Sequence, residues 1–166
     1  ELGKQLATAA MDYVKAAYAY KGIENTALAA FTGVSTPAAT APSTGATTLP
    51  SIIKGAQLSI GDDISLRFTL TEGAEGELSV GEYNYIVEDG KVGEVNFVEI
   101  DLRAFDLFDT VLTISDGTTT GTYSLAHYVN AVNADVNSTE ALKTLVNALY
   151  TYTKYARDYK NEGILN

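Results

Sequence analysis

Cysteine is absent from all 166 residues, which removes disulfide scaffolds, thiolate zinc sites and cysteine nucleophiles together. Tryptophan is absent too, and histidine and methionine occur once each. A single imidazole excludes a histidine-rich metal site, and a Ser-His-Asp triad would have to use His127. Basic residues are few: 11 Lys and Arg stand against 21 Asp and Glu, for a formal net charge of -10. The basic footprint of a nucleic-acid binder is therefore missing, and no nucleic-acid partner is expected. No run of about 18 apolar residues occurs, so no membrane-spanning helix is expected. Glycine-rich stretches lack the strand–GxGxxG–helix and P-loop orders, which argues against nucleotide binding.

What is present describes a folded chain. Apolar residues make up 46% and charged residues 19%, without long charge runs, so the composition is not that of a disordered segment. The length suits one domain, or one domain with an appended helix. Tyrosine (11) outnumbers phenylalanine (5), and threonine is frequent, a flavour common in extracellular surface modules. Cysteine-free chains occur both among secreted bacterial proteins and in a reduced cytosol. The chain opens on Glu1 rather than Met, as expected of a processed chain or of a piece of a longer one. Asn137-Ser138-Thr139 is formally a glycosylation sequon, but Ser138 or Thr139 is better read as the cap of the helix that follows.

Pattern divides the chain into four parts. Residues 1–31 hold a helix in which Leu2, Leu6, Ala9, Ala10, Tyr13, Ala17 and Tyr20 share a face and Gly22 is the stop. Residues 32–50 carry all three prolines among Thr, Ser and Ala, and read as a linker that leaves the first helix loosely attached. Residues 51–124 read as strands. Ile64, Leu66, Phe68 and Leu70 alternate with Ser65, Arg67 and Thr69, while Gly61-Asp62-Asp63, Gly81-Glu82, Asp89-Gly90 and Asp116-Gly117 mark turns. Strands are expected over 52–60, 77–80, 83–88, 92–100, 109–115 and 118–124 as well. Residues 125–166 read as a short helix and then a long one from Ser138 to about Lys160, packed on the strands or on the first helix. Its expected apolar face is Leu142, Leu145, Val146, Leu149, Tyr152, Ala156 and Tyr159. The expected fold is mainly β with flanking α: an antiparallel Ig-like β-sandwich with an amphipathic helix at each end.

The two terminal helices echo each other, with Val14-Lys-Ala-Ala-Tyr-Ala-Tyr20 against Val146-Asn-Ala-Leu-Tyr-Thr-Tyr152. Other segments are distinctive as well: Lys-Gly-Ile-Glu-Asn-Thr-Ala-Leu-Ala (21–29), Gly-Ala-Gln-Leu-Ser-Ile-Gly-Asp-Asp-Ile-Ser-Leu-Arg-Phe (55–68), Phe-Asp-Thr-Val-Leu-Thr-Ile-Ser-Asp-Gly (108–117) and Tyr-Ser-Leu-Ala-His-Tyr-Val (123–129). With the last helix (145–156), this order resembles an extracellular β-sandwich/helix module of large surface and secreted proteins of anaerobic gut and rumen Firmicutes. There the module lies among carbohydrate-active, adhesive or dockerin-bearing neighbours. The family's last helix reads Leu-Val-x-Ala-Met/Leu-Leu-Asn-Tyr-Gly, and Thr151 and Thr153 depart from it. The resemblance implies a cell-surface location and a modular context. The module has no assigned activity, so it carries over no functional residue.

Candidate chemistry is sparse. Asp62, Asp63, Glu82, Glu88, Asp101, Asp106 and Asp109 supply carboxylates, but no context selects a glycosidase pair, so no enzyme is expected. A structural calcium at Asp101, Asp106 and Asp109 or in the Asp-bearing turns is not favoured, since no calcium-loop pattern appears and Asp is an ordinary turn residue; no cofactor is expected. Tyr83 and Tyr85 point the same way on one strand. They pack into the core, the favoured reading, or form a glycan platform. The helical tyrosines are too many for one core, and Tyr13, Tyr18, Tyr20, Tyr150, Tyr152 and Tyr155 are candidate interface residues. The expectation is a non-catalytic bacterial module that builds or spaces a cell-surface assembly. Its partners would be copies of itself, in a self-assembling filament joined by helix exchange, or neighbouring surface modules. A carbohydrate-binding module that recognises polysaccharide is the alternative.

Overall fold

The computed structural model describes residues 1–60 and 63–163, so the Gly61-Asp62 turn and its carboxylate lie outside the described residues. The architecture is helix plus two antiparallel sheets, with seven strands and five helices among the described residues. Two units make it up. A helical unit takes Glu1–Ser43, Ala104–Asp109 and the chain from Val129 onward, and a β unit takes Thr44–Arg103 and Thr110–Tyr128. The divisions expected at 31, 50 and 124 therefore differ from the spatial grouping, because tertiary contacts, and not composition, hold 32–43 and 104–109 to the helices.

In the β unit the strands are β1 (Ile53–Ile60), β2 (Ile64–Leu70), β3 (Gly76–Val80), β4 (Tyr83–Val87), β5 (Phe97–Asp101), β6 (Val111–Ser115) and β7 (Thr120–Ser124). They form sheets of order β1-β2-β5 and β4-β3-β6-β7. β2 shows why alternation matters. Leu66 lies between Leu58 and Ile100, and Phe68 between Ala56 and Val98, all on one face. Leu66, Phe68 and Leu70 are buried. On the other face Arg67 stands opposite Glu99, with Nη2 2.7 Å from its Oε1. The second sheet buries Leu78, Val80, Leu112, Ile114 and Tyr123. Phe68 meets Tyr123 edge-on at 5.6 Å, which joins the two cores.

The strand expected over 92–100 begins only at Phe97. Asp89 and Gly90 both take positive φ, 50° and 70°, and pair Glu88 with Lys91. Gly93 then turns the chain again, leaving Val92 and Val95 as an isolated bridge.

In the helical unit α1 (Leu2–Tyr20) is followed by the short α2 (Thr26–Ala29), and α3 (Ala104–Leu107) arrives from between β5 and β6. α4 (Leu125–Ala134) contains the division between units, and α5 (Glu140–Asn161) ends the described chain. Gly22 stops α1 with φ 68°: the Gly22 N–H donates to Ala19 O and the Ile23 N–H to Tyr18 O, a Schellman ending. The cap of α5 is Thr139 and not Ser138, since the Thr139 hydroxyl accepts from the Leu142 N–H at 3.2 Å. Within the helical unit α5 packs on α1, and α3 packs on α5 as well. Burial on more than one side explains why Tyr150, Thr151, Thr153 and Tyr155 are buried outside the expected apolar stripe.

Residues 32–50 form no regular element, yet they are no free tether. The Lys15 ammonium donates to Phe31 O at 2.9 Å, and the Val34 N–H to the Thr8 hydroxyl at 3.0 Å. The Ala39 N–H donates to the Thr151 hydroxyl, the Tyr155 hydroxyl to Pro37 O, and the Asn130 amide to Pro42 O. Proline and threonine deny this segment a helix, while α1, α4 and α5 supply partners for its backbone. Further on, in the β unit, the Thr47 hydroxyl donates to Thr122 O at 2.6 Å, and the chain at Thr48 lies so close to β7 that only Gly121 fits beneath it.

Candidate interaction surfaces

Four of the six candidate interface tyrosines are used inside the helical unit. Tyr13 stacks on Tyr152, with ring centroids 5.7 Å apart and planes 12° from parallel. Burial, then the neighbouring Tyr152, pushes the Tyr13 phenol above its ordinary pKa. Tyr150 is buried and lies 4.9 Å from Phe108. Tyr155 is buried and spends its hydroxyl on Pro37. Tyr18 and Tyr20, with Ile23, remain open at the C-terminal end of α1, at 36%, 49% and 49% exposure. The echo between the helices aligns Tyr18 with Tyr150, but Tyr150 has Phe108 against it and Tyr18 is exposed.

Sequence reasoning missed α3 and its flank. Arg157 lies over the Phe108 ring at 4.4 Å and donates to Asp109 at 2.9 Å, while Lys160 lies over Phe105 and pairs with Asp106 at 2.7 Å. The signal was there in Phe105-Asp106-Leu107-Phe108, two rings three residues apart with acids between and after them, matching Arg157 and Lys160 on the last helix. Asp106 and Asp109, weighed above as calcium ligands, are thus ion-pair partners.

Other acids also serve the fold. Asp116 accepts from the Thr118 and Thr119 N–H groups, which hold its carboxyl below the usual carboxylate range. At Glu99 and Asp158 burial works against ionisation, but their basic partners, Arg67 for the one and Lys154 with Arg157 for the other, lower both carboxyls. Among the described residues no group of three or more His, Asp or Glu side chains is arranged to hold a metal ion. None of their helices is long and apolar enough to cross a membrane.

His127 sits one turn after Ser124, whose hydroxyl lies 2.7 Å from Nδ1 and accepts weakly from the His127 N–H at 3.4 Å. The imidazole stacks on Tyr123, and burial lowers its pKa. Ser124 therefore caps α4 and holds the imidazole through Nδ1.

Tyr83 and Tyr85 do not pack into the core, the reading favoured from sequence. Both lie on β4, the edge strand of its sheet, beyond the buried row that begins at Leu78 and Val80. Tyr83 is 58% exposed and Tyr85 is half-buried. Burial, then Tyr83, raises the Tyr85 pKa. An open groove of about 430 Å³, with Tyr85 but not Tyr83 in its lining, is bordered by Glu77, Ser79, Asn84, Ile86, Ser115 and Asp116. It exists because β3 and β6 pair only at Ser79–Ser115 and Val80–Ile114 before they part.

Compared with protein-family models, curated proteins and solved structures, the chain matches none of them.

Proposed function

We propose that this protein is a non-catalytic extracellular module that builds or spaces a cell-surface assembly through protein contacts. The observation that carries this reading is the open aromatic end of α1, where Tyr18, Tyr20 and Ile23 are exposed among the described residues while Tyr150, the counterpart of Tyr18, is buried against Phe108. The engagement of Asp106, Asp109, Asp116, Asp158 and His127 in ion pairs, turns and a cap is in keeping with it. The strand orders β1-β2-β5 and β4-β3-β6-β7 suit an Ig-like sandwich, a common scaffold for surface recognition. The bonds on 34–42 favour self-assembly by surface contact over a filament joined by exchange of α1. Light scattering and negative-stain microscopy of the chain and of Tyr18→Ala/Tyr20→Ala test the reading. Oligomers that the double variant abolishes support it, and a chain monomeric at high concentration ends the self-assembly reading.

A carbohydrate-binding function is the second reading, favoured by the groove in which Tyr85 joins hydroxyl, amide and carboxylate groups. Binding on a glycan array that Tyr85→Ala removes without unfolding would support it.

A further inference from the structure

Sheet edges expose backbone donors and acceptors, and native proteins protect them with charge, bulges or covering chain. Three of the four edges here carry such a device. β1 has Lys54 and a register shift between Ile53 and Gly55. β5 carries Glu99 and Asp101, and β7 lies under the chain at Thr47 and Thr48. β4 has none. Tyr83-Asn84-Tyr85-Ile86-Val87 contains no charge and no proline, and among the described residues no strand pairs with its outer side.

The register tells which backbone groups face outward. Val80 and Tyr83 close a two-residue hairpin in which Gly81 alone takes positive φ, 60°, as a type II′ turn requires. The closing pair of such a hairpin is hydrogen-bonded, and bonded pairs alternate along an antiparallel ladder. Tyr83, Tyr85 and Val87 therefore bond to β3, while the N–H and C=O groups of Asn84 and Ile86 face away from it. Both side chains are exposed, with Ile86 at 59%.

Charge selects the occupant. Glu82 precedes the strand, Glu88 and Asp89 follow it, and Glu77 lies opposite Ile86, while Lys91 is the one basic residue in the sequence from 77 to 91. A second copy paired antiparallel about Tyr85 would set Glu82 against Glu88 of that copy, which is unfavourable. We propose that β4 is a strand-addition site for an extended segment of a partner protein, with an uncharged β-branched centre flanked by lysine or arginine. This deepens the reading of the chain as an interaction module and rests on it. Residues opposite Glu82 and Glu88 stand six positions apart, which fixes the spacing of the two basic flanks. Main-chain bonds to Asn84 and Ile86 supply the pairing, Tyr83 and Tyr85 supply contact area, and the acids set orientation.

The test uses the full chain and a labelled, end-capped peptide, Lys-Thr-Val-Thr-Val-Thr-Lys, read by fluorescence anisotropy at low salt. Binding with a dissociation constant on the order of 100 μM is expected, as for a short strand without deep pockets. Asn84→Pro removes an outward N–H and should weaken binding by about tenfold with its circular dichroism and melting unchanged. Should that variant fail to fold, Ile86→Lys on the exposed surface should give the same loss. Glu82→Gln/Glu88→Gln should weaken binding about threefold and flatten its salt dependence. Absence of binding, binding indifferent to both β4 variants, or equal binding of a glutamate-flanked peptide would overturn the proposal. The interaction-module reading is judged separately by the assembly state of the Tyr18→Ala/Tyr20→Ala variant, so the two can fail independently.

Discussion

Tyr13 in the first helix and Tyr152 in the last lie nearly parallel with their rings 5.7 Å apart, so residues 139 positions apart in sequence form the central contact between α1 and α5. Ala9 and Ala16, buried one turn either side of Tyr13, allow the helices to come close enough for the stack. Tyr13→Ala should cost about 3 kcal/mol, the range for losing a buried aromatic ring. A double-mutant cycle with Tyr152→Ala should return a coupling of about 1 kcal/mol. Urea denaturation followed by circular dichroism measures both, and a coupling near zero would mean that the rings merely share a neighbourhood.

Arg157 combines a guanidinium over Phe108 with bonds to Asp109 and Asp158. The Asp109 side chain is 61% exposed, so that ion pair contributes little by itself. The planar contact with the ring should matter more. Arg157→Lys should therefore lose about 1 kcal/mol despite keeping the charge, and Asp109→Asn less than half of that. Equal losses from the two variants would assign the effect to charge.

Gly121 lies beneath the Thr48 carbonyl, and an added methyl would strike that backbone oxygen. Gly121→Ala should detach 44–49 from β7 at a cost of about 2 kcal/mol. Hydrogen exchange and limited proteolysis should then quicken in that stretch while β2 stays protected. Unchanged protection there would contradict the observed approach.

The His127 pKa is lowered in the fold by burial, from an unfolded value near 6.5. Below that value the unfolded chain binds a proton that the folded chain does not, so stability falls as pH falls. The imidazole contribution is complete above about pH 6.5 and is lost on descending toward the lower folded pKa, with a slope of at most about 1.4 kcal/mol per pH unit. Asp116, Asp158 and Glu99, whose pKa values are lowered, act only as pH falls through the carboxylate range. Stability profiles of the protein and of His127→Gln should therefore diverge as pH falls below about 6.5. Parallel profiles would show that the ring is not held neutral.

Local rules carried much of the strand unit. The alternation at 64–70 is readable because one face of β2 is buried and the other holds Arg67 and Glu99. Gly22 and the Asp116-Gly117 turn are readable because a positive φ or an Asx turn needs those residue types. The roles of the tyrosines were not legible. Tyr18 and Tyr150 occupy equivalent places in two similar heptapeptides, yet one faces solvent and the other Phe108, a neighbour 42 residues away. Periodicity reports the side of a helix and not what lies against it. The same reason hid the anchoring of 34–42, where threonine, tyrosine and asparagine side chains distant in sequence hold a segment that composition reads as loose. At β4, an aromatic alternation that suggests core becomes open surface because the sheet ends there.

The helical unit is drawn from three separate stretches, with α1 at one extreme and α5 at the other. Synthesis delivers them in that order, so α1 leaves the ribosome well over a hundred residues before the helix that covers Ala9, Tyr13 and Ala16. Closing so long a loop costs entropy, so the contact between α1 and α5 is among the costliest in the chain to form. A chain cut short before Glu140 would lack α5 and leave the Ala9, Tyr13 and Ala16 face of α1 without the helix that packs on it.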